Sequence, residues 1–496
     1  MSDSEAVSTT AVARAHDQSG SGQLARNALG MWSIFFFVIA AAAPLTVMAG
    51  ASPLAFRLGG IGTPGAYVFA GIVYVLFAVG FTAMSQHMTN AGAFYAYITR
   101  GLGRPVGMGG AILALVAYSI GNAGFYGAIA FFADLVLNNL AGIDTPWQLW
   151  AFVGIGVVAF LGYRQVEIGA RVLGILMVCE VGILLLVAVA ILIKGGPEPA
   201  SVAPFLPKNV FASGAGAMFV LAFGAFIGFE GTAIYAEEAR DPFRTIPRAT
   251  YVSVGFLALF YGFITWTITL AYGVQGIVEF SLSDAFQNMY FGAAGTFVGV
   301  WAEDAMWILI VTSLFACAAA FHNACARYFF ALGREGVLPR RLGRTHPKYQ
   351  SAYVGSILQT VISIVVVAAF AIGRADPYLQ LLLWTNGFTI MGIVLVQILC
   401  LVAVIGFFRR DRLGHSVLRV VAAPVLGAIG LATGAYLMFS NFDMLTGTTG
   451  WLNWFIALML PTAFGVGVVL AYRIRGRDPK QYELLGTGAA AAEGAP

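Results

Sequence analysis

The chain has 496 residues, of which 59% are hydrophobic and 10% charged, with a formal net charge of +4 and a mean hydropathy of +0.83. A soluble globular protein carries about 25% charged residues, so that class is excluded. The small positive charge gives no sign of a nucleic-acid partner. The partner that composition does imply is a lipid bilayer, and the expected class is an all-α polytopic membrane protein.

Residues 1–28 are polar and small, read as a disordered tail, and contain no cleavable signal peptide. Twelve apolar runs follow, each near the ~20 residues a spanning helix needs. They centre on 30–56, 64–86, 106–136, 147–163, 168–194, 212–236, 250–274, 304–332, 353–372, 378–407, 416–439 and 452–473. Residues 476–496 read as a second disordered tail. With the amino terminus inside, every Lys and Arg except Arg57, Lys194, Lys208 and Arg374 falls in a tail, an inner loop or a helix end beside one. The positive-inside rule therefore places both termini in the cytoplasm of a cell-membrane protein. Cys179, Cys317, Cys325 and Cys400 lie in or near the runs without metal-ligand spacing, and read as packing residues.

The first run holds a proline at its centre, Pro44 in AAAAPLTVMAG. Proline removes a helix hydrogen bond and clashes with the preceding turn, at a cost of about 3 kcal/mol. The third run places Tyr118, Asn122 and Tyr126 at four-residue spacing on one helical face. That face is expected either to look into a binding pocket or to pack through one interhelical amide bond. In the fifth run Glu180 lies about 13 residues from the start, roughly 20 Å along a helix rising 1.5 Å per residue, and so well inside a bilayer. It reads as a proton relay or as a structural carboxylic acid. The loop NAGAFYAYITRGLGRP, residues 90–105, is expected to form a helix at the inner surface.

The sixth run is interrupted by Gly224, Gly228 and Gly231, with Glu230 among them. A carboxylate at membrane depth costs on the order of 2.5 kcal/mol or more, so it faces a cavity or a partner. Non-helical backbone is tolerated there only where it is buried in protein or lines water. Breaks in runs 1 and 6 occupy matching places if runs 1–5 and 6–10 are inverted halves, an arrangement by which secondary transporters build midplane sites. Glu230 is then a proton-titrating group or a partner for a cationic substrate, against the plainer reading of a carboxylic acid that holds the break in shape. At the inner mouth Glu237, Glu238, Arg240, Asp241, Arg244 and Arg248 would form gate salt bridges or a solvated helix end. His322 and Asn323 read as an interhelical hydrogen-bonding pair. Thr312 and Ser313 are candidate hydroxyl ligands for a sodium ion.

Two segments carry a family resemblance. GFEGTAIYAEEARDPFRTIPRA at residues 228–249 and HNACARYFFALGREGVLP at residues 322–339 resemble signatures of the amino acid–polyamine–organocation permeases. The resemblance covers roughly residues 28–475. It implies a LeuT-type five-plus-five inverted repeat over residues 29–407, with helices 1 and 6 discontinuous and residues 408–475 as accessory helices 11 and 12. It further implies alternating access around a site between helices 1, 3, 6, 8 and 10. The substrate carboxylate would meet Ala43, Pro44, Leu45 and Thr46. Its ammonium would meet carbonyls near Ala40 and Phe223, Gly224 and Ala225. In the arginine/agmatine exchangers of that family a Glu stands at the position of Glu230. Departures exist: Ala43-Pro44-Leu45-Thr46 replaces a Gly-Ser-Gly-Ile-type segment, and Gly224 stands where relatives carry a bulky aromatic. Phe223 or Phe226 would then gate the site, or the pocket would be larger. Expected is a permease for an amino acid, proton-coupled through Glu180 and Glu230. A polyamine or organocation transporter or an amine exchanger is the alternative. Neither cofactor nor metal is expected. Enzyme motifs such as H-E-x-x-H or G-x-S-x-G are missing from the sequence, and neither tail is long enough for the output module of a sensor.

Overall fold

A computed structural model describes residues 30–88, 93–164, 170–212, 214–234, 239–349 and 351–486. The expected amino-terminal tail lies outside this set. No strand occurs among the described residues, and ten helical stretches are long and apolar enough to cross a membrane.

The first of these, Met31–Ser85, holds α1 (Met31–Ala42), a π-helical segment (Thr46–Ala51), α2 (Ser52–Gly59) and α3 (Thr63–Ser85). Pro44 sets the boundary of α1. A proline pushes the residue before it out of the right-handed helix, and Ala43 sits at φ 45°, ψ 70°. Its own N–H still reaches the Ile39 and Ala40 carbonyls, at 3.0 and 3.2 Å. A left-handed alanine costs roughly 1–2 kcal/mol, so the surrounding packing must enforce it.

The inner-surface helix expected in residues 90–105 is present as α4 (Ala93–Leu102). After it come α5 (Arg104–Ala141), α6 (Trp147–Arg164) and α7 (Ala170–Lys194). The sixth run breaks into α8 (Met218–Gly224) and a single turn, α9 (Gly231–Ile234). Then follow α10 (Pro242–Tyr272), α11 (Val274–Leu282), α12 (Met289–Phe297), α13 (Val300–Arg334), α14 (Tyr353–Ile372), α15 (Leu383–Phe408), α16 (Ala423–Ser440) and α17 (Trp451–Arg477). One further helix, α18 (Pro479–Leu484), corrects the disordered-tail reading for the part of residues 476–496 that it occupies. Leu485 is buried behind it, and residues 487–496 lie outside the described set.

The 38-residue helix α5 is the axis of the bundle, packed against α4, α6, α13, α14, α15 and α17. Small residues permit the closest crossings, as expected where lipid gives no hydrophobic drive between helices. A Cβ on Gly71 of α3 would lie 2.6 Å from that of Ala258 on α10. Bulky residues such as Trp451, Trp454 and Ile372 point outward at the periphery, where a bilayer takes the place of a protein neighbour.

Candidate functional site

The two interruptions meet. Gly228 adopts φ 115°, a conformation open to glycine and strained for other residues. The Cβ it lacks would come 3.7 Å from the Ala41 carbonyl carbon, so one break lies directly on the other. Between α8 and α9 the backbone turns through tight bonds: Phe226 N–H donates to Phe223 O (3.2 Å), Ile227 to Gly224 (3.0 Å) and Gly231 to Gly228 (3.0 Å). The three glycines act differently. Gly228 supplies the positive φ, and Gly224 admits Ile390, whose Cδ1 would be 2.4 Å from an added Cβ. Gly231 has nothing within 4 Å of that position.

Glu230 is buried and folds back over its own break. Its Oε2 accepts the Gly228 N–H at 2.9 Å, and its Oε1 accepts a short hydrogen bond from the Tyr118 hydroxyl on α5. The carboxylate thus stabilises the left-handed turn and ties it to α5. The flanking phenylalanines pack behind the break. Phe226 stacks on Tyr74 at 4.9 Å, and the Tyr74 hydroxyl reaches the Phe223 carbonyl (3.3 Å) and Gln397 Oε1 (3.0 Å).

A second buried carboxylate stands behind the first break. Ser313 on α13 donates to Glu180 Oε2 at 2.7 Å, and Thr46 donates to Ser313 Oγ at 3.0 Å. A three-member chain therefore runs from Thr46, at the cavity wall, to Glu180 on α7. Ser313→Ala is expected to destabilise the fold by about 1–3 kcal/mol, because it leaves buried groups short of partners. Thermal unfolding in detergent reads this out, and Ser313→Thr should be milder.

At the junction of the breaks is a cavity of about 100 Å³, lined by Ala41, Ala42, Ala43, Thr46 and Val47 on one side and by Leu221, Gly224, Ala225 and Ile227 on another. One water needs roughly 10–15 Å³ by this measure, so several waters or a small solute fit. Phe125, Ala128 and Phe132 of α5, Leu314, Cys317 and Phe321 of α13, and Leu382, Asn386, Thr389 and Ile390 near the start of α15 complete the wall, with Tyr378. Among the described residues no charged side chain lines it.

The predicted residues therefore separate. Ala43, Thr46, Gly224 and Ala225 line the cavity; Ala40, Pro44, Leu45, Phe223, Phe226 and Gly228 shape the breaks without lining it. Tyr118 holds Glu230. Asn122 and Tyr126 turn away: Asn122 donates to the Ala318 carbonyl (2.8 Å) and accepts from Gln359 (3.2 Å) and Tyr126 (3.5 Å), joining α5 to α13 and α14. The pocket face of α5 is the one bearing Phe125, Ala128 and Phe132, an i, i+3, i+7 stripe that the sequence reading passed over. His322 shares a 2.8 Å hydrogen bond with Ser356 of α14, the interhelical role expected of it. At the expected gate, Arg244 lies 3.8 Å from Asp241 with both side chains largely exposed, and such a pair contributes only about 0–1 kcal/mol. Arg240 is exposed, and Glu237 and Glu238 lie outside the described residues.

An interrupted helix pair around a mostly apolar cavity, within a bundle of membrane-length helices, fits a membrane transporter. Residues 29–464 match the family model described as "Amino acid permease", and the chain belongs to that family. Among its relatives is the branched-chain amino acid permease BcaP of Bacillus subtilis (strain 168), 24% identical over 68% of this chain and 72% of that protein. The BcaP of Lactococcus lactis subsp. cremoris is 22% identical over 83% of this chain and 89% of its own length. The low-affinity putrescine importer PlaP of Escherichia coli (strain K12) is 25% identical over 61% of this chain and 66% of its own.

Proposed function

We propose that this protein is a secondary carrier for an amino acid with an apolar side chain. It works by alternating access and is driven by protons. The observation that carries this is the cavity: its wall is apolar, its charge-matching groups are the backbone ends at the two breaks, and both carboxylates stand outside it. The end of α1 offers carbonyls and the following segment offers amides, so a zwitterion meets a suitable dipole for each charge. A diamine would need a carboxylate in the wall. The branched-chain permeases among the relatives favour the same substrate class, whereas the putrescine importer supports the alternative.

The architecture proposed is twelve spans with inverted five-helix halves over residues 29–407 and accessory helices in 408–475. Supporting it, two pairs of packed helices come from runs five apart: α3 on α10, and α5 on α13. The break-bearing runs are also five apart. Both termini are cytoplasmic in this reading, on the strength of the Lys and Arg distribution. Uptake of radiolabelled leucine and putrescine into proteoliposomes, with and without an inward proton gradient, tests it. Gradient-dependent leucine accumulation with no putrescine uptake is expected. Putrescine uptake alone overturns the substrate class, and leucine movement only against an internal counter-substrate overturns the coupling.

A further inference from the structure

The residues after α17 return to the bundle and grip it at several points. Gln481 Nε2 donates to the Glu335 backbone carbonyl at 2.6 Å, just past the end of α13. Glu335 Oε2 accepts the Tyr95 hydroxyl of α4 at 2.6 Å and the Gly486 N–H at 3.4 Å. Arg104, at the start of α5, donates to the Glu483 carbonyl at 2.8 Å, and its guanidinium lies 5.3 Å from the Tyr482 ring centre. Arg475 approaches the same ring at 5.8 Å. Leu485 is 1% exposed. Asp478 caps the short helix by accepting the Gln481 N–H at 3.0 Å.

These contacts join parts of the chain that are far apart in sequence but surround one mouth of the bundle. The helix α4 packs against α9, the turn that continues the broken run beyond Gly228, and α9 in turn packs against α1. The Glu335 carboxylate, just past α13, binds both Tyr95 of α4 and Gly486 of the carboxy-terminal segment, so separating α4 from the end of α13 disturbs both contacts. We propose that residues 478–486 are an intramolecular strap that closes the inner mouth and slows its opening, so that release of the strap raises the turnover of the carrier. The inference rests on the alternating-access reading for its effect on transport, but the strap's effect on the mouth can be read without any substrate.

The test uses the full chain with Cys179→Ser and a reporter, Ala233→Cys, on α9, where Ala233 is 1% exposed. Two strap variants are compared with it: truncation after Arg477, and the full-length Gln481→Ala/Tyr482→Ala pair. A membrane-impermeant maleimide applied to inside-out vesicles should label the reporter at least about fivefold faster in both variants, the low end of ordinary coupling between a contact and a conformational equilibrium. Leucine counterflow should rise in parallel with KM unchanged. Unchanged labelling in both variants overturns the strap. Faster labelling with no leucine movement in any variant keeps the strap and overturns the proposed substrate.

Discussion

Replacing Glu230 by Gln is expected to abolish gradient-driven accumulation and to lower kcat/KM by at least about tenfold, while the protein still folds. The geometry separates the two parts of this effect. A Gln amide oxygen can still accept the Tyr118 hydroxyl, but its NH2 group would then face the Gly228 N–H, donor against donor. An unmet buried amide costs about 1–3 kcal/mol, or roughly one to two factors of ten at 1.4 kcal/mol each. The turn bearing φ 115° at Gly228 loses its brace, and under the proposed proton coupling the carrier also loses the group that would titrate at the break. Tyr118→Phe removes only the tie to α5 and should fall between wild type and Glu230→Gln. Uptake and solvent-side counterflow in proteoliposomes decide the matter. Full gradient-driven uptake by Glu230→Gln would exclude Glu230 as the coupling group and leave it a structural brace.

The second large effect concerns substrate size. Gly224 and Ile390 interlock across the cavity, with an added Cβ falling 2.4 Å from Ile390 Cδ1 and 2.9 Å from Cγ1. The Cδ1 methyl can turn about χ2, but Cγ1 is held by the stiff χ1 of a branched residue, so the Ile390 side chain as a whole has to shift. Gly224→Ala is therefore expected to weaken leucine uptake by about 10–200-fold, the range ordinarily set by a methylene in a hydrophobic pocket. Ile390→Ala, which enlarges the pocket, should shift preference toward phenylalanine. The double variant should recover much of the leucine uptake, a coupling that independent sites would not show. Competition of unlabelled amino acids against radiolabelled leucine measures all three. Additive losses in the double variant would mean that the two residues do not share a subsite.

Much of the architecture was legible in the chain because lipid leaves strong marks. Apolar runs announced the helices, Pro44 announced the first break, and the glycines around Glu230 announced the second. The 93–102 helix followed from aromatic and basic residues in one loop. What could not be read was orientation about a helix axis. Helix α5 is apolar on nearly every side, so no polar stripe marks its pocket face, and Tyr118, Asn122 and Tyr126 looked equivalent. Only the positions of α13 and α14 separate Tyr118, which reaches Glu230, from Asn122 and Tyr126, which bridge helices. The same limit hid Ile390, whose role depends on a glycine that lies far away in sequence. The residues after Arg477 are polar and read as a tail. Their anchors, Glu335, Tyr95 and Arg104, lie in segments far away in the sequence.

The seating of Gly228 against Ala41 also has a bearing on how the protein is made. The left-handed Ala43 and the groups around it enter the membrane early, yet the turn that covers them is synthesised only after four further apolar runs. At about 5–20 residues per second, the first break waits on the order of tens of seconds for its partner. During that interval the nascent chain holds an irregular segment that lipid cannot satisfy. A half-finished polypeptide of this kind is a natural client for an insertion chaperone, and a natural target for membrane proteolysis when its second half is delayed.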